Sequence, residues 1–202
     1  MNITKRKKEL IIRYILKSGE TYKISESSAF KTVSIFKKPV LVKGISNSTA
    51  DLWYIPFIDY DNTSKEIVLE DARRLIKEHN LPPFYLFTTK EENGIGNYHL
   101  VNLCKVSYWG IQHLLNQCRC DQKYASMNLR NPFKSWVLRI SKKGKRSNPK
   151  FLQLIGKNEN LDQKISKAHL DFFNKIYKLP KINYKNLDNG KEVKIHTYET
   201  FK

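Results

Sequence analysis

The segment Ile55-Pro-Phe-Ile-Asp-Tyr-Asp61 constrains the fold of this chain most, because it reads as an apolar strand ending in two aspartates one residue apart. Successive side chains of a strand point to opposite faces, so Trp53, Ile55, Phe57, Asp59 and Asp61 are predicted to share a face. Two carboxylates then emerge side by side where the apolar strand runs out. Such a pair is unfavourable unless a cation lies between its members, and Mg²⁺ is held by one or two carboxylates together with substrate phosphates. The same residues also suit a strand running into a turn, since Asp61-Asn62-Thr63 is good turn chemistry.

The elements around this strand follow from periodicity. Residues 1–50 read as short strands with turns, including Tyr22-Lys-Ile24, Thr32-Val-Ser-Ile-Phe36 and Val40-Leu-Val42. A strand at 53–59 follows, then a capping-box signature at Thr63-x-x-Glu66. Val68, Leu69, Ala72, Leu75 and Ile76 form one stripe at helical spacing, and Pro82-Pro83 stops that helix near Asn80. Phe84–Thr88 and Asn97–Leu103 are predicted to form a hairpin whose connection carries the Asn93-Gly94 turn signal. A helix is expected at about 107–118. In the strand Trp136–Ser141, Trp136, Leu138 and Ile140 lie on one face and Val137, Arg139 and Ser141 on the other. Leu161, Ile165, Ala168, Phe172 and Ile176 mark a last helix, stopped at Pro180. The expectation is an α+β fold with a mainly antiparallel central sheet and flanking helices. Residues 1–180 form one domain in this reading, and 181–202 a polar, loosely held C-terminal tail.

The 202 residues suffice for one core, and 40% hydrophobic with 12% aromatic content belongs to a folded chain. Lys and Arg number 37 against 19 Asp and Glu, a net charge of +18. Nucleic acid is the first polyanion expected to offset it, because neutralising phosphates releases counterions; a Lys-rich, AT-biased genome would give the same composition. Three cysteines argue against a disulfide framework. Glu9 interrupts any signal-peptide core after the basic Met1–Lys8, and no apolar run approaches a membrane span. A soluble cytoplasmic protein without a membrane partner is expected.

Four elements in order carry chemistry: Asp59-x-Asp61, then His99 just after a glycine-bearing turn, then Asp121, then a strand bearing Arg139 that runs into Ser141-Lys-Lys-Gly-Lys-Arg146. The stretch 139–150 holds six basic residues (Arg139, Lys142, Lys143, Lys145, Arg146, Lys150) and no acid. Each element suits nucleotidyl transfer, which needs carboxylates on two cations and cationic donors on a triphosphate. Taken singly, His99 also reads as a hydrogen-bonded histidine on a partly buried strand, and Asp121 as a helix N-cap.

In this order the residues resemble the archaeo-eukaryotic primase superfamily, most closely its primase-polymerase branch, over residues 53–146. The resemblance implies an RRM-like catalytic core and a DNA primase or polymerase that makes or extends primers on single-stranded DNA. Its implied setting is the replication of a small replicon, viral or plasmid. Asp59, Asp61 and Asp121 would hold Mg²⁺ or Mn²⁺ by resemblance. Asn97, His99, Arg139, Lys142 and Lys143 would bind the incoming nucleoside triphosphate, with Asn97 where Ser is usual. A replicative helicase is implied as a separate partner. Some relatives carry a zinc insert between the second and third motifs, where this chain has Cys104, His113, Cys118 and Cys120. Those are the right ligand types at a non-standard spacing, and buried free cysteines are the commoner explanation.

Two other readings compete. A rolling-circle initiator should show His-x-His and a Tyr-x₂₋₃-Lys helix; no His-x-His is present, and Tyr124 is followed by Ala-Ser-Met-Asn without the lysine. A non-catalytic nucleic-acid-binding protein derived from a primase fold would account for the charge, although binding alone disfavours acids near phosphates. Exposed aromatics among the 11 Tyr and 3 Trp are expected to stack template bases, without the sequence saying which.

Overall fold

The structure is a computed structural model that describes residues 21–26, 31–36, 40–128, 135–143, 146–157 and 162–200. The chain divides into two compact units, Met1–Val42 with Thr197–Lys202, and Lys43–His196. In the first, β1 (Thr21–Glu26) pairs antiparallel with β2 (Lys31–Phe36), as the alternation at 22–24 and 32–36 predicts. In the second, Gly44–Ser46 at the end of β3 (Val40–Ser46) pair antiparallel with β7 (Val137–Arg139).

The α+β expectation holds. A four-stranded antiparallel sheet of order β4-β6-β5-β8 is built from β4 (Phe57–Ser64), β5 (Phe84–Glu92), β6 (Ile95–Val101) and β8 (Lys150–Ile155). The hairpin β5–β6 turns at Asn93-Gly94, with φ of 52° and 76°. Two consecutive positive φ values match the right-handed twist of the paired strands, which is why an Asn-Gly pair stands there. Helix α1 (Lys65–His79) ends at Asn80, which is left-handed with φ 51°, immediately before Leu81 and the two prolines.

Strand β4 differs from expectation at both ends. It begins at Phe57 and continues to Ser64, so Asp59 and Asp61 lie inside it and Trp53 is not part of it. The extension comes from the hairpin, because Gly96 and Ile95 of β6 reach far enough to pair with Thr63 and Ser64. That pairing holds Thr63 in the sheet, so the helix cap falls on Ser64, whose hydroxyl accepts from the Ile67 amide at 3.4 Å. Between Tyr60 and Thr63 the register slips, and Asp61 and Asn62 face the single residue Asn97. A second slip in β5, between Thr88 and Lys90, also falls beside Asn97. The bulges break strict alternation beyond Tyr60.

Both faces of the sheet are covered. Ile58, Tyr60 and Leu86 are buried in one core cluster with Val68, Ala72 and Leu75 of α1. Phe57 and Phe87 pack against Phe173 of α4 (Lys167–Tyr177), at ring centroid distances of 6.0 and 5.7 Å. The phase of that last helix also differs. It starts after Ser166, its buried residues are Ala168, His169 and Phe173, and Ile176 is 45% exposed. Ile165 precedes it in bridges to Cys104 and Leu187, and Leu161 lies outside the described residues. Two further helices among the described residues, α2 (Tyr108–Gln117) and α3 (Gln122–Ser126), are capped by Ser107 and Asp121.

The segment after Pro180 is tied down, in contrast to the loose tail expected. The Tyr184 hydroxyl lies 3.2 Å from that of Tyr85, and Asp188 bonds the Lys167 amide at 2.9 Å. The ammonium of the buried Lys105 meets Asp188 and Asp51, the partners a buried cation needs. Strand β9 (Ile195–Thr200) follows, next to β3 in the sheet order β7-β3-β9. Among the described residues no helix is long and apolar enough to cross a membrane.

Candidate active site

A row of cross-strand neighbours, Asp59, His99, Phe87 and Phe151, runs across all four strands of the sheet. The aromatic half is sealed by α4, and the polar half opens at the β4 edge. There the side chain of Asp59 is 25% exposed, and its Oδ1 lies 3.4 Å from Nε2 of the buried His99. Opposed positions on neighbouring antiparallel strands put their side chains in contact, so the β4–β6 register itself makes this pair.

Asp121, 62 positions beyond Asp59 in sequence, joins the same edge. Its amide donates to the Asp59 carbonyl at 2.8 Å, an added rung on the free side of β4. Its carboxylate accepts from the Lys123 amide at 2.9 Å and so caps α3. The helix-cap reading of Asp121 is therefore right, and so is its proximity to Asp59. Asp61 projects from the bulge and accepts from Arg146 at 3.2 Å. A depression of about 300 Å³ is lined by Asp61, Thr63, Arg119, Cys120, Asp121 and Lys123, with cations flanking the two acids.

Arg139 completes the cluster from β7. It is buried, and its guanidinium donates to the carbonyls of Ser141 and Ser147. Burial, then the charges of Asp61 and Asp121, push the Asp59 carboxyl up to about 7 against the pull of Arg139 and Arg146. Burial and then the same two arginines push His99 down to about 3, so its imidazole is neutral at pH 7. A neutral ring beside a carboxyl is a hydrogen-bonding group, not the cationic half of an ion pair.

The other expected residues are placed differently. The Asn97 Oδ1 accepts from the Asn62 amide at 2.8 Å, where it clamps the β4 bulge that carries Asp61. Lys142 is exposed, Lys143 is half-buried with its backbone paired to Arg146, and Lys145 lies outside the described residues. Sequence reasoning assigned no role to Arg146 beyond the basic run, although it is the residue bound to Asp61. Tyr124 is buried, and its pKa rises well above its usual value through burial, then through the nearby Asp59.

The four candidate zinc ligands are not assembled. The thiols of Cys118 and Cys120 donate to the carbonyls of Leu114 and Leu115, whereas Cys104 sits in a bridge to Ile165. His113 packs edge-on against His79 at 5.4 Å. Burial pushes all three thiols up to about 12, so they are protonated and poor metal ligands at neutral pH. Among the described residues no three His, Cys, Asp or Glu side chains are arranged to hold a metal. Asp59, Asp61 and Asp121 nevertheless offer oxygen donors alone, the chemistry a hard divalent cation takes. Arg146 and the α3 cap now occupy two of the three, so a cation here would compete with those contacts.

No protein-family model, no curated protein and no solved structure matches this chain.

Proposed function

We propose that this protein is a primase-polymerase-type nucleotidyltransferase acting on single-stranded DNA, with Mg²⁺ or Mn²⁺ as cofactor. One observation carries the reading. Residues 59, 99, 121 and 139, scattered over 81 positions of sequence, lie near one another around the β4 edge, which supports the reading. A solvated acidic turn or an isolated cap would give no reason for that convergence.

When bound, the divalent ions would activate the attacking 3′-hydroxyl and offset charge on the departing pyrophosphate. Asp59, Asp61 and Asp121 would hold them. Arg139 and Arg146 bring fixed positive charge beside those acids, and a triphosphate entering with its cations would take over the contact Arg146 now makes with Asp61. Neutral His99 would donate one hydrogen bond to a phosphate oxygen without a proton changing hands. Asn97 acts at one remove, by fixing the bulge. Lys142 and Lys143 would add positive charge for the triphosphate. An RRM-like arrangement of the four-stranded sheet, cytoplasmic replication of a small replicon and a separate helicase partner belong to the same proposal.

Asp59→Asn keeps the shape of the residue and removes its charge. Metal-dependent incorporation of nucleotides on single-stranded DNA is expected to fall about a hundredfold or more, while DNA binding persists. Equal incorporation by variant and wild type would refute the assignment. The existing contacts of Asp61 and Asp121 favour one second reading, a non-catalytic binding protein derived from a primase fold. Wild type that binds DNA and makes no product with either metal and either class of nucleotide would establish it.

A further inference from the structure

Away from the acidic edge, the second unit holds a groove of about 380 Å³ lined by Leu52, Trp53, Tyr54, Ser107, Tyr108 and Trp109. Its rim is apolar and open to solvent, with Leu52 85%, Trp109 71% and Trp53 43% exposed. Its floor is rigid. Tyr54 and Tyr108 pack on each other and on fully buried Trp136, at centroid distances of 5.9, 6.4 and 5.6 Å.

The loop that presents Leu52 and Trp53 is held rather than slack. The Thr49 hydroxyl bonds the Asp51 carboxylate at 2.6 Å and the Trp53 carbonyl at 2.9 Å, and accepts from the Trp53 amide at 3.1 Å. Asp51 is gripped in turn by Lys105. Leu52 adopts φ of 62°, a left-handed conformation that a side chain with a Cβ disfavours. The turn closed between Thr49 and Trp53 holds that conformation and leaves Leu52 in water.

We infer that this groove is a base-stacking platform for single-stranded nucleic acid, with Trp53 and Trp109 as the stacking faces; the inference rests on the nucleic-acid reading above and names the subsite. Charge selects the occupant. A chain with a net charge of +18 collects polyanions, and exposed aromatic faces on a cationic protein are how single strands are bound without sequence preference. Continuity supports the same choice. The floor residue Trp136 donates its indole N–H to the Tyr124 carbonyl at 3.1 Å, and Tyr124 belongs to α3, the helix capped by Asp121. The aromatic floor of the groove thus packs against the helix that Asp121 caps.

The tryptophans supply the readout, because Trp136 is buried while Trp53 and Trp109 meet solvent. Titration of the full chain with oligothymidylate is expected to quench its tryptophan emission. The double variant Trp53→Ala/Trp109→Ala should melt like wild type and bind about tenfold or more weakly, with phenylalanine at both positions restoring part of the affinity. Binding by the alanine variant within twofold of wild type would overturn the platform. So would concentration-dependent self-association of wild type that the variant abolishes, since the groove would then serve a second copy. Repeating the titration with Asp59→Asn separates the two claims. A platform failure leaves catalysis intact, a catalytic failure leaves quenching intact, and wild type that binds no single strand removes both.

Discussion

His169 is fully buried, yet every polar atom of its ring is satisfied. Nε2 donates to the Ser46 carbonyl at 2.9 Å, and Nδ1 accepts from the Ser166 hydroxyl at 2.8 Å. That pattern fixes a neutral ring, and burial pushes its pKa down to about 4. The charged groups facing it, Asp188 and Lys105, act in opposite directions. The unfolded chain therefore binds this proton first as pH falls from about 6.5. The contribution to stability is complete above that value and is lost progressively down to about 4, by about 3 kcal/mol in all. Denaturant unfolding at pH 7 and pH 5 should show a drop that is about 2 kcal/mol smaller in His169→Gln. The same drop in both proteins would show that another group titrates. Residue roles of this kind were only half legible in the sequence. Asp59 opposite His99 follows once two strands are recognised and paired. The duty of Asn97 does not, because Asp61-Asn62 reads only as turn chemistry, and the register between strands turns it into a bulge.

At the scale of elements, the helix–sheet contact is held by one buried acid. Asp71 of α1 accepts from the Tyr60 hydroxyl at 3.1 Å and the Arg119 amide at 2.8 Å, and pairs with Arg74 and Arg119. It thereby joins β4, α1 and the segment leading to α3. Asp71→Ala leaves two cations and two donors without their acceptor and should cost about 3 kcal/mol, read as a shift in the denaturant midpoint. A cost under about 1 kcal/mol would mean that water replaces the carboxylate. The stripe on α1 was legible because five apolar residues repeat at helical spacing. Asp71 falls among them and looked like surface, since its partners lie at 60, 74 and 119. The last helix misled for a related reason. Its apolar residues fit two phases, and Phe57 and Phe87 of the sheet decide in favour of Phe173.

Over the whole molecule, excess positive charge sets the terms of binding. Affinity for single-stranded DNA should fall steeply with salt, with a log–log slope of about −2 or steeper if three or more phosphates are neutralised. Lys142→Ala/Lys143→Ala should flatten that slope, whereas the tryptophan variants should shift affinity and leave the slope alone. A salt-independent affinity would show that the net charge is compositional bias. The +18 was legible at once, but the placement of stacking groups apart from the acids was not, because only folding decides which tryptophans stay in water.

The rung between the Asp121 amide and the Asp59 carbonyl has a consequence outside chemistry. β4 is an outer strand, and unpaired outer strands invite a second chain to add on and seed aggregates. Here the inviting carbonyl is already occupied, and acids stand on either side of the vacancy an intruder would need. The same residues that gather charge for a reaction thus act as a stopper on the sheet, and loosening α3 would show first as clumping of the protein.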